Sequence, residues 1–259
     1  MKMTFLGTGT SMGVPVLTCN CQVCQSEDAR DKRLRCSALL QTKQGKYILL
    51  DIGPDFRSQM FRANVPRIDA ILVTHAHRDH VAGIDDVRPY NYVQRAPLDM
   101  YANEQAACAI MHDYHYIFEP HQYAGLPEIT MHTVRDEECL EVAGECVVPV
   151  RAMHKDLPVL AYRIGRVGYV TDVSYIAAEE LQKLVGVDVL VVNALRKQKH
   201  YSHFCLTEAL HVIEQVSPRC AYLTHVSHEM GLHAEVSTDG SLPSNVYLAY
   251  DGLEVSVKD

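Results

Sequence analysis

Metal-binding side chains are concentrated in one short stretch of the sequence, HxHxDH. Three imidazoles and one carboxylate, from His75, His77, Asp79 and His80, follow directly on a run of apolar or β-prone residues at 71–74. If the strand continues one step, one metal could take His75 and His77 while a second takes Asp79 and His80. Imidazole nitrogen with carboxylate oxygen suits zinc, manganese or iron and not calcium. A solvated polar loop is the alternative, since the chain contains 14 His.

A second cluster, C-x-C-x2-C, consists of Cys19, Cys21 and Cys24. In a reducing compartment such a cluster is more often a zinc site than a disulfide. Zinc needs a fourth ligand, and because none lies nearby it must come from a distant part of the chain. Unligated core cysteines are the alternative, although the polar flanks indicate a surface knuckle over residues 19–24.

Three later polar residues follow predicted strands, as the first motif does. His154 ends a β-rich run, and His225 follows a short apolar strand. Asp172 also ends an apolar strand, where it is either a helix N-cap or a metal ligand that bridges two cations.

Two further segments and Arg57 are weaker candidates for a place at the site. The segment 196–203 is locally basic, which fits an anion pocket at the rim, with His200 as a weaker candidate for contacting the substrate. Arg57, in the first turn of a predicted helix, is a candidate for touching an anionic substrate, with a surface ion pair as the alternative. The segment 111–118 is rich in His and Tyr, and is either a lid over a substrate ring or a surface helix with aromatic packing.

Hydrophobic periodicity predicts the elements that must position these groups. We expect strands at 3–6, 37–42, 46–51, 69–73, 147–153, 159–164, 167–171, 187–193 and 221–223, and helices at 56–63, 177–185 and 206–216. Asp55 is expected to cap the first helix, and Ser202 or Thr207 the last. The Asp251–Gly252 turn predicts a C-terminal hairpin that closes the sheet. Without a linker or repeat, residues 1–259 are predicted to form a single domain.

Composition limits the classes of protein. A chain of 259 residues that is 47% hydrophobic can bury a full core, and without 18 consecutive apolar residues we expect no membrane span. The odd count of nine Cys, with an N-terminus unlike a secretory signal, predicts reduced thiols and a cytoplasmic location. The formal charge of −8 disfavours binding to long nucleic acid, while a small anionic substrate stays compatible with it.

The HxHxDH motif after a strand resembles the metallo-β-lactamase superfamily, whose members are mostly metal-dependent hydrolases. The resemblance implies an α/β (α+β) fold, a four-layer αββα sandwich with two divalent metals. The ligands that it implies are His75, His77 and His154 on one metal, Asp79, His80 and His225 on the other, and Asp172 between them.

Four further motifs, GTGTSMGVP, CxCxxC, LLDIGPDFR and THxSH, narrow the resemblance to the PhnP branch, the phosphodiesterases of phosphonate breakdown. In that branch a structural zinc is held by the Cys knuckle and the second His of THxSH. The corresponding residues here are Cys19, Cys21, Cys24 and His228. His203, 22 residues before His225, resembles the catalytic His of the branch, and Asp79 is a candidate for orienting the nucleophile.

These motifs predict a hydrolase of a small or cyclic phosphodiester, such as a ribosyl 1,2-cyclic phosphate or a 2′,3′-cyclic nucleotide. It would use manganese or zinc at the catalytic site and one structural zinc. A tRNA 3′-processing endonuclease and a coenzyme PQQ synthesis protein B are alternatives of the same fold. A non-catalytic metal-binding or redox-sensing module is an alternative of another class. A homodimer is compatible with the resemblance.

Overall fold

The computed structural model describes residues 1–120, 125–135 and 139–257. The strands are β1 (Lys2–Gly7), β2 (Ser37–Gln41), β3 (Tyr47–Leu50), β4 (Ala70–Leu72), β5 (Leu98–Asn103), β6 (Ile129–Val134), β7 (Leu140–Val142), β8 (Glu145–His154), β9 (Leu157–Ile164), β10 (Val167–Val170), β11 (Val189–Asn193), β12 (Cys220–Thr224), β13 (Val246–Leu248) and β14 (Glu254–Ser256). The helices are α1 (Phe56–Ala63), α2 (Arg78–Val81), α3 (Arg88–Gln94), α4 (Glu104–Asp113), α5 (His115–Phe118), α6 (Ala178–Gln182), α7 (Leu206–Val216) and α8 (His233–Val236). Short 3₁₀ turns span Ala29–Asp31, Ile84–Val87 and His228–Met230.

The strands form two seven-stranded sheets with matching topology. The spatial orders are β14-β1-β2-β3-β4-β5-β6 and β13-β12-β11-β10-β9-β8-β7. The first sheet has three antiparallel pairings from β14 to β3 and three parallel ones from β3 to β6. The second has three parallel pairings from β13 to β10 and three antiparallel ones from β10 to β7. The carboxyl ends of parallel strands lie at one edge of a sheet, where α/β proteins generally place their ligands. The polar residues after β3, β4, β10 and β12 therefore lie at this edge.

The layers follow from which strand faces are apolar. An inner core between the two sheets contains Phe5, Leu40, Tyr162 and Tyr169, all essentially buried. One outer core lies between the first sheet and helices α1 and α4, and another between the second sheet and α6 and α7. The order of the layers is helix, sheet, sheet, helix, so the predicted αββα sandwich is confirmed.

Helix α7 illustrates why the outer layers form. Its buried residues recur at helical spacing and are Leu206, Ala209, Val212, Ile213 and Val216. Each fully buried aliphatic side chain contributes about 1.5–3 kcal/mol, so this face binds the helix to the sheet. The predicted range of the helix is confirmed. Its predicted cap is wrong, because Cys205 occupies the N-cap and the Glu208 side chain accepts the Cys205 amide at 3.0 Å.

The first helix begins after Asp55, as predicted, but Asp55 makes no capping hydrogen bond. Its carboxylate instead accepts the Arg35 backbone amide at 2.8 Å and the Arg35 guanidinium at 3.0 Å. This long-range pair draws the carboxylate away from the helix amides.

The predicted C-terminal hairpin is wrong. β13 pairs in parallel with β12 in the second sheet, whereas β14 pairs with β1 in the first. The Asp251–Gly252 turn therefore carries the chain from one sheet to the other. Asp251 fixes this crossing, since its carboxylate accepts the amide and hydroxyl of Thr8 and the amide of Leu34 at 2.8–2.9 Å.

A disulfide joins Cys139 and Cys146 at the β7–β8 hairpin, and the Cα atoms of these two residues lie 5.8 Å apart. The other seven cysteines are free. The structure thus departs from the expectation of fully reduced thiols at this hairpin.

Among the helices formed by the described residues, none has the length and apolar character needed to cross a membrane.

Candidate active site

The HxHxDH stretch leaves the sheet one step earlier than predicted, because β4 ends at Leu72. His75 is buried, His77 is the exposed N-cap of α2, and Asp79 and His80 lie in the single turn of that helix. The His75 ring lies 4.5 Å from the His77 ring and 4.3 Å from the His80 ring, measured between centroids. The short helix therefore turns Asp79 and His80 back toward the first two histidines.

The opposite wall of the site comes from strand ends of the second sheet. His154 ends β8, Asp172 follows β10 and His225 follows β12. Asp172 and His225 have left-handed backbones, with φ of 56° and 53°. Non-glycine residues adopt this conformation at an energetic cost, and it recurs at functional sites. It directs both side chains across the edge of the sheets.

Two groups of potential ligand atoms converge at this edge. Within each group the atoms lie within 4.8 Å of one another. The first group consists of Asp79, His80, Asp172 and His225, and the second of His154, Asp172 and His203. Asp172 belongs to both. The rings of His75 and His77 lie 5.6 and 5.2 Å from that of His154. All seven predicted metal ligands thus surround one space, with His203 beside them.

The donor set fits metal ions. Among the described residues, the Nε2 atoms of His75, His80 and His225 are buried and make no well-aligned hydrogen bond, although those of His80 and His225 lie 3.0 and 3.2 Å from the Asp172 carboxylate. An unpartnered buried nitrogen costs free energy that a metal–ligand bond would offset. The site can therefore hold cations in a mixed imidazole and carboxylate environment.

Neighbouring groups fix which ring nitrogen faces the site. Asp51, fully buried after β3, lies 2.8 Å from His80 Nδ1 and accepts the Thr74 amide at 2.8 Å. His154 Nδ1 donates to the Ser202 carbonyl at 2.7 Å, which leaves its Nε2 lone pair free. Such outer contacts orient metal ligands. Sequence reasoning assigned no role to Asp51 and considered Ser202 only as a helix cap, and the only signal was the position of Asp51 in LLDIGPDFR.

Electrostatics keeps most of these groups in the form that binds metal. Burial raises the pKa of Asp172, but His225 and His80 outweigh it and hold that pKa well below its ordinary value. His80 and His225 likewise lower the pKa of Asp79 against the effect of burial. Burial lowers the pKa of His154 to about 4. The carboxylates are therefore ionised and His154 is neutral at pH 7, as metal coordination requires.

The pKa of His80 is shifted by the negative potential of the site. Burial alone would lower the pKa of His80, but Asp172, Asp51 and Asp79 outweigh it and raise that pKa well above its ordinary value. Three buried carboxylates close to one imidazole favour positive charge at this position.

The Cys knuckle meets His228, as the resemblance implied. The Sγ atoms of Cys19, Cys21 and Cys24 lie 3.3, 3.3 and 3.4 Å from His228 Nδ1. Three thiols and one imidazole at such distances match a closed four-ligand zinc site. The knuckle is thereby placed against the chain that follows His225.

A pocket of about 370 Å³ opens above the candidate catalytic residues. Its walls include His77, His154, His200, His203 and, at the rim, Tyr201. The predicted candidate His200 is thus at the pocket.

The basic segment does not supply free positive charge. Arg196 pairs with Glu229 at 2.7 Å, Lys197 with Asp239 at 3.1 Å and Lys199 with Glu208 at 3.6 Å. These carboxylates come from other elements, so a composition window could not reveal them. The segment reaches the pocket through Arg196, with these three cations in ion pairs.

Arg57 lies elsewhere. Its guanidinium lies 5.0 Å from the centre of the Phe61 ring, and it lines a separate cavity of about 250 Å³ with Pro89 and Tyr90. The helix that carries Arg57 turns this side chain away from the strand ends.

The His- and Tyr-rich segment supports α2 from outside the pocket. The Tyr114 hydroxyl donates to the Val81 carbonyl at 3.2 Å, and Arg78 pairs with Asp113 at 3.0 Å. His112 is exposed, and His121 lies outside the described residues. The surface-helix interpretation therefore holds for residues 111–118.

Comparison with known proteins agrees with this geometry. The model of the "Beta-lactamase superfamily domain" matches residues 46–226. The crystal structure of a diphosphatase from the PhnP family is 38% identical, with a TM-score of 0.90, and the match covers 98% of this chain and 96% of that one.

Curated relatives match over part of their length. An octanoyltransferase of Porphyromonas gingivalis is 40% identical over all of this chain, which spans 52% of that protein. Coenzyme PQQ synthesis protein B of Methylorubrum extorquens is 33% identical over 116 residues, which make up 39% of this chain and 37% of that one. The chain thus spans about half of the first relative and matches about a third of the second.

Proposed function

Because this chain belongs to the metallo-β-lactamase superfamily, in its PhnP branch, and is a metal-dependent hydrolase, we propose that it hydrolyses a small or cyclic phosphodiester at a two-metal site. The observation that carries the proposal is the pair of donor groups that share Asp172. A carboxylate between two cations reduces their mutual repulsion, and a two-metal arrangement suits in-line displacement at phosphorus.

The ligands are assigned as the resemblance implied. One metal is assigned to His75, His77 and His154, the other to Asp79, His80 and His225, with Asp172 shared. Manganese or zinc bound there would supply positive charge that stabilises the phosphoryl oxygens and lowers the pKa of water. The structural zinc is assigned to Cys19, Cys21, Cys24 and His228.

His203 is proposed as the proton donor. Hydrolysis adds the hydroxyl of water to phosphorus and a proton to the leaving oxygen, so a proton source must face the pocket. His203 lines it, with Nε2 at 2.9 Å from Asp172 Oδ1 and Nδ1 at 3.0 Å from the Ser202 hydroxyl. These two contacts fix the orientation of the ring. Asp79 is proposed to orient the attacking water as well as to bind metal.

A diphosphate is the second candidate substrate. The 38% identical relative is described as a diphosphatase. Cleaving a P–O–P anhydride would use the same two-cation pocket, while the leaving phosphate, a weaker base than an alkoxide, would depend less on a proton from His203. Only the group on the leaving oxygen differs.

Other functions receive less support. The formal charge of −8 and the ion-paired rim disfavour long RNA, and so a tRNA 3′-processing endonuclease. The coenzyme PQQ synthesis protein B relationship covers a minority of the chain. The octanoyltransferase is about twice as long as this chain, so its name also describes residues that have no counterpart here. A small-molecule substrate, a single domain over 1–259, a cytoplasmic location and a homodimer stay predictions.

A substrate panel tests the proposal. Protein loaded with manganese or zinc would be assayed against bis-p-nitrophenyl phosphate, 2′,3′-cyclic nucleotides and a dinucleoside diphosphate. We expect metal-dependent turnover of the diesters. Turnover of the diphosphate alone would select the second candidate. Full metal occupancy with no turnover of any phosphorus ester would favour the non-catalytic module.

A further inference from the structure

A second cavity, of about 570 Å³, lies beside the metal-binding residues and has no part in the chemistry proposed above. Its base is formed by Ala152, Val159 and Leu160 of the β8–β9 hairpin, all at most 4% exposed. Tyr175, 60% exposed, forms part of its wall. The volume falls within the range of sites for small molecules, and its base is formed by regular strands.

A chain of shared lining residues connects this cavity to the site. A smaller cavity of about 140 Å³ is lined by His75 and His77 and shares Asn103, Gln105 and Pro158 with the larger one. His77 also lines the pocket above the candidate catalytic residues. The three cavities are therefore neighbours in a row, with His77 between the first two and Asn103, Gln105 and Pro158 between the second and the larger one.

Polar groups at the cavity are engaged within the protein. The Asn103 amide donates to the Pro158 carbonyl at 3.2 Å, and its side-chain oxygen caps α4 through the Ala106 amide at 2.8 Å. The Glu180 carboxylate accepts the Arg151 amide at 2.7 Å and the Lys183 ammonium at 2.8 Å. What the base and wall offer a ligand is mainly apolar surface.

The charge of the lining argues against an anionic occupant. The described lining includes the carboxylates of Glu104, Glu179 and Glu180 and the guanidinium groups of Arg135 and Arg151. It therefore has no excess positive charge with which to attract a second phosphate.

We propose that this cavity binds an uncharged alkyl or acyl chain carried by the substrate, while the phosphoryl group lies between His77 and His154. The proposal rests on the proposed function for the position of the phosphoryl group. Burial of methylene groups in the cavity would supply binding energy remote from the reacting bond. This binding energy would let the enzyme distinguish substrates that have the same phosphoryl group but different chains.

The test compares two esters with the same leaving group, methyl p-nitrophenyl phosphate and octyl p-nitrophenyl phosphate, below the concentration at which the latter forms micelles. We expect the octyl ester to have a KM lower by about tenfold or more. Ala177→Trp would fill the cavity, because Ala177 lines it. This variant should abolish the advantage of the octyl ester while leaving kcat for the methyl ester unchanged. Equal KM values in the wild type, or an advantage that survives the substitution, would overturn the proposal.

Ala178→Trp is the matched control, since Ala178 is the next residue and is exposed. It should retain the wild-type preference and report any general cost of a bulky side chain on α6. If neither ester is hydrolysed, the proposed function fails, and the cavity is tested by calorimetric titration with octyl phosphate and methyl phosphate. Tighter binding of octyl phosphate, lost only in Ala177→Trp, sustains the cavity proposal; equal binding of both monoesters contradicts it.

Discussion

Side chains that are not themselves metal ligands determine which nitrogen of an imidazole faces the metal site. Asp51 is completely buried, and its carboxylate contacts His80 Nδ1 at 2.8 Å and the Thr74 hydroxyl at 3.0 Å. Because Nδ1 is held, His80 Nε2 faces Asp79 and Asp172, at 3.2 and 3.0 Å. Positioning of this kind commonly changes metal affinity without changing the ligands themselves.

Asp51→Ala is therefore expected to weaken metal binding by about 10–100-fold. The measurement is a competition titration against a chelator of known affinity. Asp69→Ala is the control, because Asp69 is nearly buried and pairs with Lys46 and Arg67. The control should lose stability and keep its metal affinity, whereas equal affinities for both variants would contradict the role assigned to Asp51.

The metal ligands could be predicted from the sequence more completely than the residues that orient them. HxHxDH is a local pattern, so its four residues could be assigned together. The contact between His154 and the Ser202 carbonyl joins residues 48 apart, and that between His80 and Asp51 joins residues 29 apart. Such pairs depend on how strand ends meet and leave no local pattern in the sequence.

Among the elements, the Cys knuckle connects the N-terminal loop to a wall of the pocket. His228 opens the 3₁₀ turn His228–Met230, and its neighbours Ser227 and Glu229 line the pocket. The knuckle also packs Val14 and Val23 into a small apolar cluster. The local core is small, so the ligand bonds are expected to hold this region together.

Cys24→Ser is expected to lower the midpoint of thermal unfolding of the zinc-loaded protein by about 5 °C or more. It should also reduce the zinc content by one equivalent. Differential scanning calorimetry with elemental analysis provides both readouts. Cys108→Ser, at an exposed free cysteine on α4, is the control and should change neither. Unchanged zinc content in Cys24→Ser would show that the knuckle is not a zinc site.

Elements could be predicted where the pattern of apolar residues is local. The helix over 206–216 and the hairpin at 37–41 and 47–50 have such patterns and were correctly predicted. The last two strands were assigned to one hairpin because Asp251–Gly252 is a typical turn. Their separation into two sheets depends on contacts of Asp251 with Thr8 and Leu34, more than 200 residues away.

Across the whole molecule, a buried polar network joins the two chain ends. The Arg33 guanidinium donates to the Ala249 carbonyl at 2.6 Å and the Thr8 hydroxyl at 2.8 Å, and lies 3.4 Å from His233 Nδ1. The His233 amide donates to Asp31 at 2.8 Å. Burial, together with the charge of Arg33, lowers the pKa of His233 to about 4.

This network predicts acid sensitivity. The pKa of His233 is lower in the folded state than its ordinary value of 6.5 in the unfolded chain, so the unfolded state takes up the proton first. The stabilisation is fully present above pH 6.5 and is lost as the pH falls to about 4, by up to about 3 kcal/mol. His233→Gln should reduce the difference in unfolding free energy between pH 7 and pH 4.5, measured with urea. His211→Gln, at an exposed histidine, should leave it unchanged; an equal effect of both would contradict the prediction.

The most direct test of the two-metal phosphodiesterase is hydrolysis of a 2′,3′-cyclic nucleotide, whose leaving alkoxide needs a proton, by metal-loaded wild type and His203→Ala, with metal content measured on the same samples. We predict turnover by the wild type and a kcat at least about 100-fold lower in the variant, with equal metal content. Loss of metal together with activity would assign His203 to the ligands, as its position beside His154 and Asp172 allows. A fully metal-loaded wild type that hydrolyses no diester would contradict the account.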